Sequence, residues 1–265
     1  MTCKLIAEIG WNHMGDMALA EHMVEAAGAA GADYAKFQSW NVKNLKKGPW
    51  DDDGRRKIYD KAQLSRADHF KLLKICEKYK VKFLTSCFYK EDLDVVEEVS
   101  REVKIPSTEC FNNELVESAI ERFDHVYIST GASTKDEYEK WIVHDNVTIL
   151  HCVSAYPCKA CNINIPRFLR IKSLTPQFGY SGHYAGIWDA VVAVVFGATI
   201  VEKHFTTDQG LPGRDNKFAI MPADFAQIRQ FVDEYEGMKI DHGNDYQECE
   251  EIARSVYARR WCGKD

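Results

Sequence analysis

The sequence predicts a single (β/α)8 barrel, and three observations support this. Eight short apolar runs alternate with eight longer amphipathic ones, which favours a parallel sheet with connecting helices. The chain has 265 residues, and such barrels typically need about 250. Polar residues follow nearly every predicted strand, and in a barrel these strand ends meet at one face. An open doubly wound sheet would show the same alternation and remains an alternative.

The first third of the chain contains three predicted strands and two helices. The helix predicted over residues 16–30 carries Leu19, Met23 and Ala26 close to helical period, and Gly31 ends it. Residues 40–64 have no clear period and are predicted to form a long loop. The helix predicted over residues 66–79 has Phe70 and Leu73 on one side. In this part the predicted strands are residues 4–9, 32–38 and 82–87.

The remainder continues the alternation. The last helix but one is strongly apolar and ends at Gly197. The predicted strands are residues 102–106, 125–129, 147–152, 177–181 and 199–203. The predicted helices are residues 91–100, 113–122, 135–143, 166–174, 186–196 and 223–237. We therefore predict one barrel domain over residues 1–240 and a polar C-terminal extension over residues 241–265.

Composition excludes several classes of function. The net charge is −6, whereas a nucleic-acid-binding face would be basic. No apolar run approaches the roughly 20 residues of a membrane span. Because the N-terminus leads directly into a predicted strand, we expect no signal peptide. The nine cysteines are scattered, which favours reduced thiols. We expect a cytoplasmic protein with small-molecule partners, no nucleic acid and no membrane.

Two sets of strand-end residues suggest an anionic ligand. Thr85, Lys104 and Ser107 combine hydroxyls with an ammonium group, which suits a phosphate. Serines that end the next three strands could hold a carboxylate; they are Ser129, Ser154 and Ser181. A small molecule that carries both a phosphate and a carboxylate would fit these neighbouring pockets.

His183 and His204 end adjacent predicted strands. Either one alone is more simply explained as a hydrogen-bonded core histidine, but the pair favours a shared metal. Imidazole suits Zn, Mn, Fe or Co, and two ligands leave positions for water or substrate.

Residues along the whole chain now indicate a family. The sequence resembles the N-acetylneuraminate (sialic acid) synthases, whose relatives make legionaminic and pseudaminic acids. The matching residues are Ile6-Ala7-Glu8-Ile9-Gly10, Asn12-His13, Gly15-Asp16, Gly31-Ala32-Asp33, Lys36-Phe37-Gln38, His151-Cys152, Tyr156-Pro157, Glu202-Lys203-His204-Phe205-Thr206 and Gly213-Arg214-Asp215.

The resemblance implies a barrel that joins phosphoenolpyruvate to the aldehyde of an N-acetylated hexosamine and releases phosphate. By motif it assigns the divalent metal, Mn or Mg, to His183 and His204. It also implies that the phosphate and carboxylate are held by the two hydroxyl-rich sets named above. The catalytic or substrate-contacting residues it implies are Glu8, Lys36, Tyr156 and Asp215, with Gln38 lining the phosphoenolpyruvate site.

Two departures from the family pattern matter. The family usually has Ser-Asp-His before its first metal ligand, whereas this chain has Ser181-Gly182-His183. The segment Arg254-Ser255-Val256-Tyr257 resembles the one that leads to a small antifreeze-like domain, which is absent from these 265 residues. We therefore expect either a homodimer or a separate antifreeze-like domain as partner.

Two other functions remain open on the sequence. One is a different phosphoenolpyruvate-dependent synthase that makes 3-deoxy sugar acids from phosphorylated aldoses; it would need a second phosphate site with clustered arginines. The other is a non-catalytic barrel that binds sugar or phosphate.

Overall fold

Residues 2–260 form, in the computed structural model, a closed barrel of eight parallel strands. The barrel closes because the first strand pairs with both the second and the last. The strands are β1 Lys4–Gly10, β2 Tyr34–Ser39, β3 Lys82–Cys87, β4 Glu102–Ile105, β5 His125–Ser129, β6 Val147–Cys152, β7 Phe178–Gly182 and β8 Ile200–His204. The predicted (β/α)8 fold is confirmed, and the open-sheet alternative is wrong.

Nine α-helices lie within residues 2–260. They are α1 Met17–Ala29, α2 Arg55–Ala62, α3 Arg66–Lys78, α4 Asp92–Glu97, α5 Asn113–Arg122, α6 Lys135–Glu139, α7 Ile165–Leu174, α8 Trp188–Val195 and α9 Pro222–Met238. Side-chain caps define several helix starts: Asp16 accepts hydrogen bonds from the backbone of α1, and Ser65 and Asp68 cap α3 reciprocally. Most predicted boundaries differ by one to three residues at helix ends, where caps rather than periodicity set the limit.

Alternation along each strand divides the core into two parts. Outward-facing side chains such as Leu5, Ala35 and Val103 pack against the helices. Inward-facing side chains fill the lower barrel with a separate apolar cluster, namely Ile6, Tyr34, Leu84, Tyr127, Leu150 and Ile200. The hydroxyls of Tyr34 and Tyr127 both donate to the Glu102 carboxylate, at 2.9 and 2.8 Å. This layer fills the end of the barrel opposite the C-terminal ends of its strands.

The hydrogen-bond register fixes the next inward positions. Glu8 lies beside both Lys36 and His204. Ser86 is beside Lys104, and Gln38 is beside Ser86. The pairing of parallel strands thus brings charged residues from distant parts of the chain to one level above the apolar layer.

The segment 40–64 is not the irregular loop that the sequence predicts. It contains α2 and two short 3-10 turns, Val42–Asn44 and Pro49–Asp51. Helix α2 gives no apolar period because it lies over the mouth of the barrel and buries only Ala62. Its end packs against Gly15, where a Cβ would lie 2.1 Å from the Lys61 carbonyl oxygen.

Beyond α9, residues 241–260 are exposed and contain two short helical turns. The domain boundary at residue 240 stays a prediction, and residues 261–265 of the predicted extension lie outside the described residues. Among the helices within residues 2–260, none combines the length and the apolar composition needed to cross a bilayer.

Candidate active site

A cavity of about 590 Å³ opens at the C-terminal ends of the strands. This is the face where barrel enzymes place their active sites. Most of the residues predicted from sequence line it: Glu8, Lys36, Gln38, Lys104, Ser107, Ser129, Tyr156, Ser181, His183, His204 and Asp215. The convergence of polar strand ends, from which the sequence predicts the site, is therefore present in the structure.

Two lysines and two glutamates interlock at the base of the cavity. The Lys36 ammonium lies 2.7 Å from Glu8 Oε2 and 3.5 Å from Glu202 Oε2. The Lys104 ammonium lies 3.4 Å from the same Glu202 carboxylate. All four side chains are buried, and buried charges persist only when they are paired. The four form a charge-balanced network, called the base network below.

Neighbouring polar groups complete the base network. Lys36 donates to Ser86 Oγ at 2.9 Å, and Gln38 donates to Glu8 Oε1 at 2.6 Å. The Ser181 hydroxyl donates to Glu202 Oε1 at 2.9 Å. These contacts orient the carboxylates while leaving the two ammonium groups beside the cavity.

The pKa values of the two carboxylates of the base network are shifted in opposite directions. Burial raises the pKa of Glu8 despite the attraction of Lys36. Burial also acts to raise the pKa of Glu202, but Lys104 and Lys36 together hold it well below its usual range. Glu202 is thus fixed as an anion, whereas Glu8 is suited to exchanging a proton near neutral pH.

The two histidines predicted to share a metal lie next to each other. Their ring centroids are 5.3 Å apart. His183 Nδ1 is 2.8 Å from the Val153 carbonyl oxygen; since a carbonyl only accepts, Nδ1 carries the proton and Nε2 has a free lone pair. Burial lowers the pKa of His183 and His204 to about 3, so both rings are neutral at pH 7.

The residues fit a metal with open coordination positions. His204 Nδ1 is buried without a hydrogen-bond partner and lies 3.9 Å from Asp215 Oδ2. Within residues 2–260, no third His, Cys, Asp or Glu joins the two histidines in a ready ligand set. Two neutral imidazoles are suitable donors for a catalytic divalent ion.

Tyr156 and the 214–215 pair form the wall beside the histidines. The Tyr156 ring centroid lies 4.1 Å from that of His183. The Arg214 guanidinium stacks on Tyr156 at 4.5 Å, and its Nε donates to Asp215 Oδ1 at 3.0 Å. Sequence motifs named Tyr156 and Asp215, and the structure adds Arg214 as the group that connects them.

The predicted hydroxyl sets need two corrections, of which Thr85 is the first. Thr85 does not line the cavity, because it faces outward on β3 and its hydroxyl lies 2.8 Å from Ser39 Oγ, which in turn contacts buried His69. Ser86, one residue later, faces inward and occupies the expected place. Sequence reasoning missed this because it counted strand ends without applying the alternation of strand side chains.

The two predicted hydroxyl sets do not form two separate pockets in the structure. Ser107 Oγ and Ser154 Oγ are 2.7 Å apart, although sequence reasoning placed them in different sets. The second correction is Ser154, which was predicted to hold a carboxylate but does not line the cavity and instead supports its wall through Ser107. Ser129 Oγ is buried without a partner and faces the cavity, so a ligand oxygen could satisfy it.

Sequence reasoning also missed the mouth of the cavity. Trp11, Trp40, Tyr59 and Phe88 contact one another edge to face, with ring centroids 5.3–6.1 Å apart. We call these four side chains the aromatic rim. Two of them belong to the segment 40–64, where no period marked them for attention. The rim gives the outer cavity an apolar surface, while the base is charged.

Comparisons with known proteins agree with this arrangement. The sequence profile of the NeuB family matches residues 23–244. The N,N'-diacetyllegionaminic acid synthase of Campylobacter jejuni is 32% identical over 85% of this chain and 75% of its own length. The human N-acetylneuraminate-9-phosphate synthase is 28% identical over 87% of this chain and 69% of its own length.

A solved structure is similar along nearly the whole chain. It is the N-acetylneuraminic acid synthetase of Leptospira borgpetersenii in complex with citrate, with a TM-score of 0.84 and 28% identity. The match covers 98% of this chain and 93% of that one. With the family profile spanning most of the barrel, this protein belongs to the NeuB family.

Proposed function

We propose that this NeuB family enzyme condenses phosphoenolpyruvate with the open-chain aldehyde of an N-acetylated hexosamine. The products are phosphate and a nonulosonic, sialic-acid-like sugar acid. The observation that carries the proposal is the base network, because it presents two ammonium groups and several serine hydroxyls at the floor of a single cavity. Phosphoenolpyruvate carries both a phosphate and a carboxylate, which need such donors.

The chain's residues divide the work of binding. Lys104, Ser86 and Ser107 hold the phosphate, with Ser154 supporting Ser107. Ser129 and Ser181 hold the carboxylate, and for this the Ser181 hydroxyl turns from Glu202 to the substrate. Lys36 lies between Glu8 and Glu202 and balances charge as the substrate enters. The aromatic rim supports the sugar assignment, since its faces suit the methyl of an acetamido group and the C–H faces of a sugar.

Bond formation joins C3 of phosphoenolpyruvate to the aldehyde carbon, whose oxygen takes a proton from the Glu8 carboxyl. Water adds at C2 and gives one proton back to Glu8. The C2–O bond to phosphate then breaks as the new C2 hydroxyl passes its proton to the leaving phosphate, which leaves a ketone at C2. Glu8 is the group we assign to receive the proton from water, because its pKa is raised by burial. Asp215 and Tyr156 orient the sugar oxygen beside the histidines.

His183 and His204 hold a divalent cation in this proposal. The support is their neutral state and the unpartnered Nδ1 of His204. Of Mn²⁺ and Mg²⁺, the imidazole donors favour Mn²⁺, since Mg²⁺ prefers oxygen ligands. A metal bound there supplies Lewis-acid polarisation of the aldehyde carbonyl.

The test is phosphate release from phosphoenolpyruvate with Mn²⁺ and a panel of N-acetylhexosamines. A second arm contains phosphorylated aldoses, and a third contains no sugar. Release that requires an N-acetylhexosamine supports the proposal. Release only with phosphorylated aldoses would indicate the other class of synthase, and binding of phosphoenolpyruvate without release in any arm would indicate a non-catalytic barrel.

Two further expectations remain proposals of the same kind. One is association, either as a homodimer or with a separate antifreeze-like domain, which light scattering of the purified protein with and without that domain tests. The other is a cytoplasmic location, which cell fractionation tests.

A further inference from the structure

A buried ion pair lies directly behind the two histidines. Lys203 precedes His204 on β8 and faces outward, away from the cavity. Its ammonium lies 2.9 and 2.8 Å from the two carboxylate oxygens of Asp189 on α8. Both residues are 2% exposed. Burying two charges is costly unless their hydrogen bonds are complete, so both charges need further hydrogen-bond partners.

The third proton of the Lys203 ammonium reaches the turn that carries His183. It is donated to the carbonyl oxygen of Tyr184 at 2.7 Å. The Tyr180 hydroxyl donates to Asp189 Oδ2 at 3.1 Å. All three ammonium donors of Lys203 are thus used, and one of them fixes the backbone immediately after His183.

The same turn is held at two further points. The Cys158 backbone N–H donates to the His183 carbonyl oxygen at 2.9 Å. The His183 ring donates from Nδ1 to the Val153 carbonyl oxygen at 2.8 Å. Loss of the Lys203 contact would leave these two bonds in place but would free the Tyr184 carbonyl, and with it the backbone immediately after His183.

Gly182 shows that the carboxylate of Asp189 occupies the place of a side chain. A Cβ at position 182 would lie 2.2 Å from Asp189 Oδ2 and 2.5 Å from a Tyr180 ring carbon. Helix α8 thus supplies a carboxylate to this volume, and glycine at position 182 leaves the space for it.

We propose that Lys203 and Asp189 form a positioning pair that holds the His183 imidazole in the orientation needed to bind the divalent cation. The proposal rests on the metal assignment made above for His183 and His204. It assigns to the pair no contact with substrate.

The first test removes both charges together, because removing one alone would leave a buried unpaired charge and could unfold the chain. The variant is Lys203→Met/Asp189→Asn. We expect it to fold and its dissociation constant for Mn²⁺ to rise about 10- to 100-fold, as when the partners of a metal ligand are removed. Relative to the unaltered enzyme, the double variant should lose less turnover at saturating Mn²⁺ than at limiting Mn²⁺.

A second variant keeps both charges and displaces the carboxylate. Gly182→Ala introduces a Cβ into Asp189 and Tyr180, and we expect weaker Mn²⁺ binding of the same kind. The matched control is Gly237→Ala, whose Cβ would meet nothing within 4 Å. A further control is Glu102→Gln, which disturbs the buried network at the opposite end of the barrel and should leave the Mn²⁺ affinity unchanged.

A third measurement does not depend on the metal. Long-range ¹H–¹⁵N NMR spectra report the imidazole tautomer, with His183→Ala used for assignment. The unaltered chain should show the Nδ1–H form of His183, and the double variant a mixture. If the unaltered chain binds no Mn²⁺, the metal assignment fails, and the tautomer still decides the positioning role. Unchanged Mn²⁺ affinity and an unchanged tautomer in a folded double variant would overturn the proposal.

Discussion

The Lys36 ammonium lies 2.7 Å from the Glu8 carboxylate, and each side chain is 2% exposed. Burial nevertheless outweighs this contact and raises the pKa of Glu8. The same lysine is shared with Glu202, whose own pKa is held low. One ammonium therefore pairs with two carboxylates, of which one has a raised pKa and the other a lowered pKa. Such an arrangement is typical of paired acid–base residues.

Glu8→Gln should lower kcat by about 10²- to 10⁴-fold, the usual contribution of a general acid or base. The KM for phosphoenolpyruvate should change little, because Lys104 and the serines remain. Steady-state phosphate release measures both constants. Glu102→Gln, at the opposite end of the barrel, is the control and should retain kcat. A Glu8→Gln enzyme with unaltered kcat would remove Glu8 from the proton-transfer role.

His183→Ala and His204→Ala should each abolish tight Mn²⁺ binding, because the proposed site would lose one of its two protein ligands. Titration calorimetry with Mn²⁺ measures this, and His144→Ala on the surface side is the control. Loss of binding in His183→Ala with binding kept in His204→Ala would contradict the shared-ligand assignment.

Trp40→Ala should raise the KM for the sugar about 10-fold while leaving the KM for phosphoenolpyruvate unchanged. The reason is that Trp40 belongs to the aromatic rim, above the base network beside which we place the phosphate. A lost aromatic contact is worth about 0.5–1.5 kcal/mol beyond its buried area. Trp188→Ala is the matched control, since Trp188 is 67% exposed outside the cavity. Equal changes in both KM values would indicate a general disturbance of the mouth.

Acid should destabilise the chain through histidines outside the proposed metal site. Burial lowers the pKa of His13 and of His151 to about 4, against 6.5 in the unfolded chain. Between pH 6.5 and 4 the unfolded state binds more protons, so stability falls as the pH falls. Each histidine contributes about 1.4 kcal/mol per pH unit in that window.

Urea unfolding at several pH values checks this slope. His151→Gln should make the curve shallower by the contribution of one histidine, whereas exposed His22→Gln should leave the slope as it was. An unchanged slope in His151→Gln would show that His151 is not buried in its neutral form.

Much of this molecule is predictable from sequence because strands and helices repeat with fixed periods. The order of elements, the two histidines and Lys104 follow from reading apolar runs and their ends, whereas the roles of Glu8 and Lys36 came from the family resemblance. The choice of Thr85 over Ser86 failed because only one of two successive residues faces inward. The same alternation, applied to β8, would have placed Glu202 beside His204 in the site.

Other features depend on contacts that no local pattern records. The aromatic rim joins Trp11 to residues of the segment 40–64, and α2 has no apolar stripe to reveal it. The pairing of Lys203 with Asp189 depends on how α8 packs against β8. The need for glycine at position 182 follows only from the Asp189 carboxylate that lies beside it. Long-range packing, not propensity, decides these positions.

The apolar layer of Ile6, Tyr34 and Leu84 lies beneath the base network, on the side away from the mouth. Ligands reach the charged floor from above, past the aromatic rim. A sugar at the seat we propose for it on the rim would obstruct the way to the lysines, so we expect phosphoenolpyruvate to bind first. The shape of the barrel would then impose an order of addition, which product-inhibition kinetics would display as a compulsory sequence.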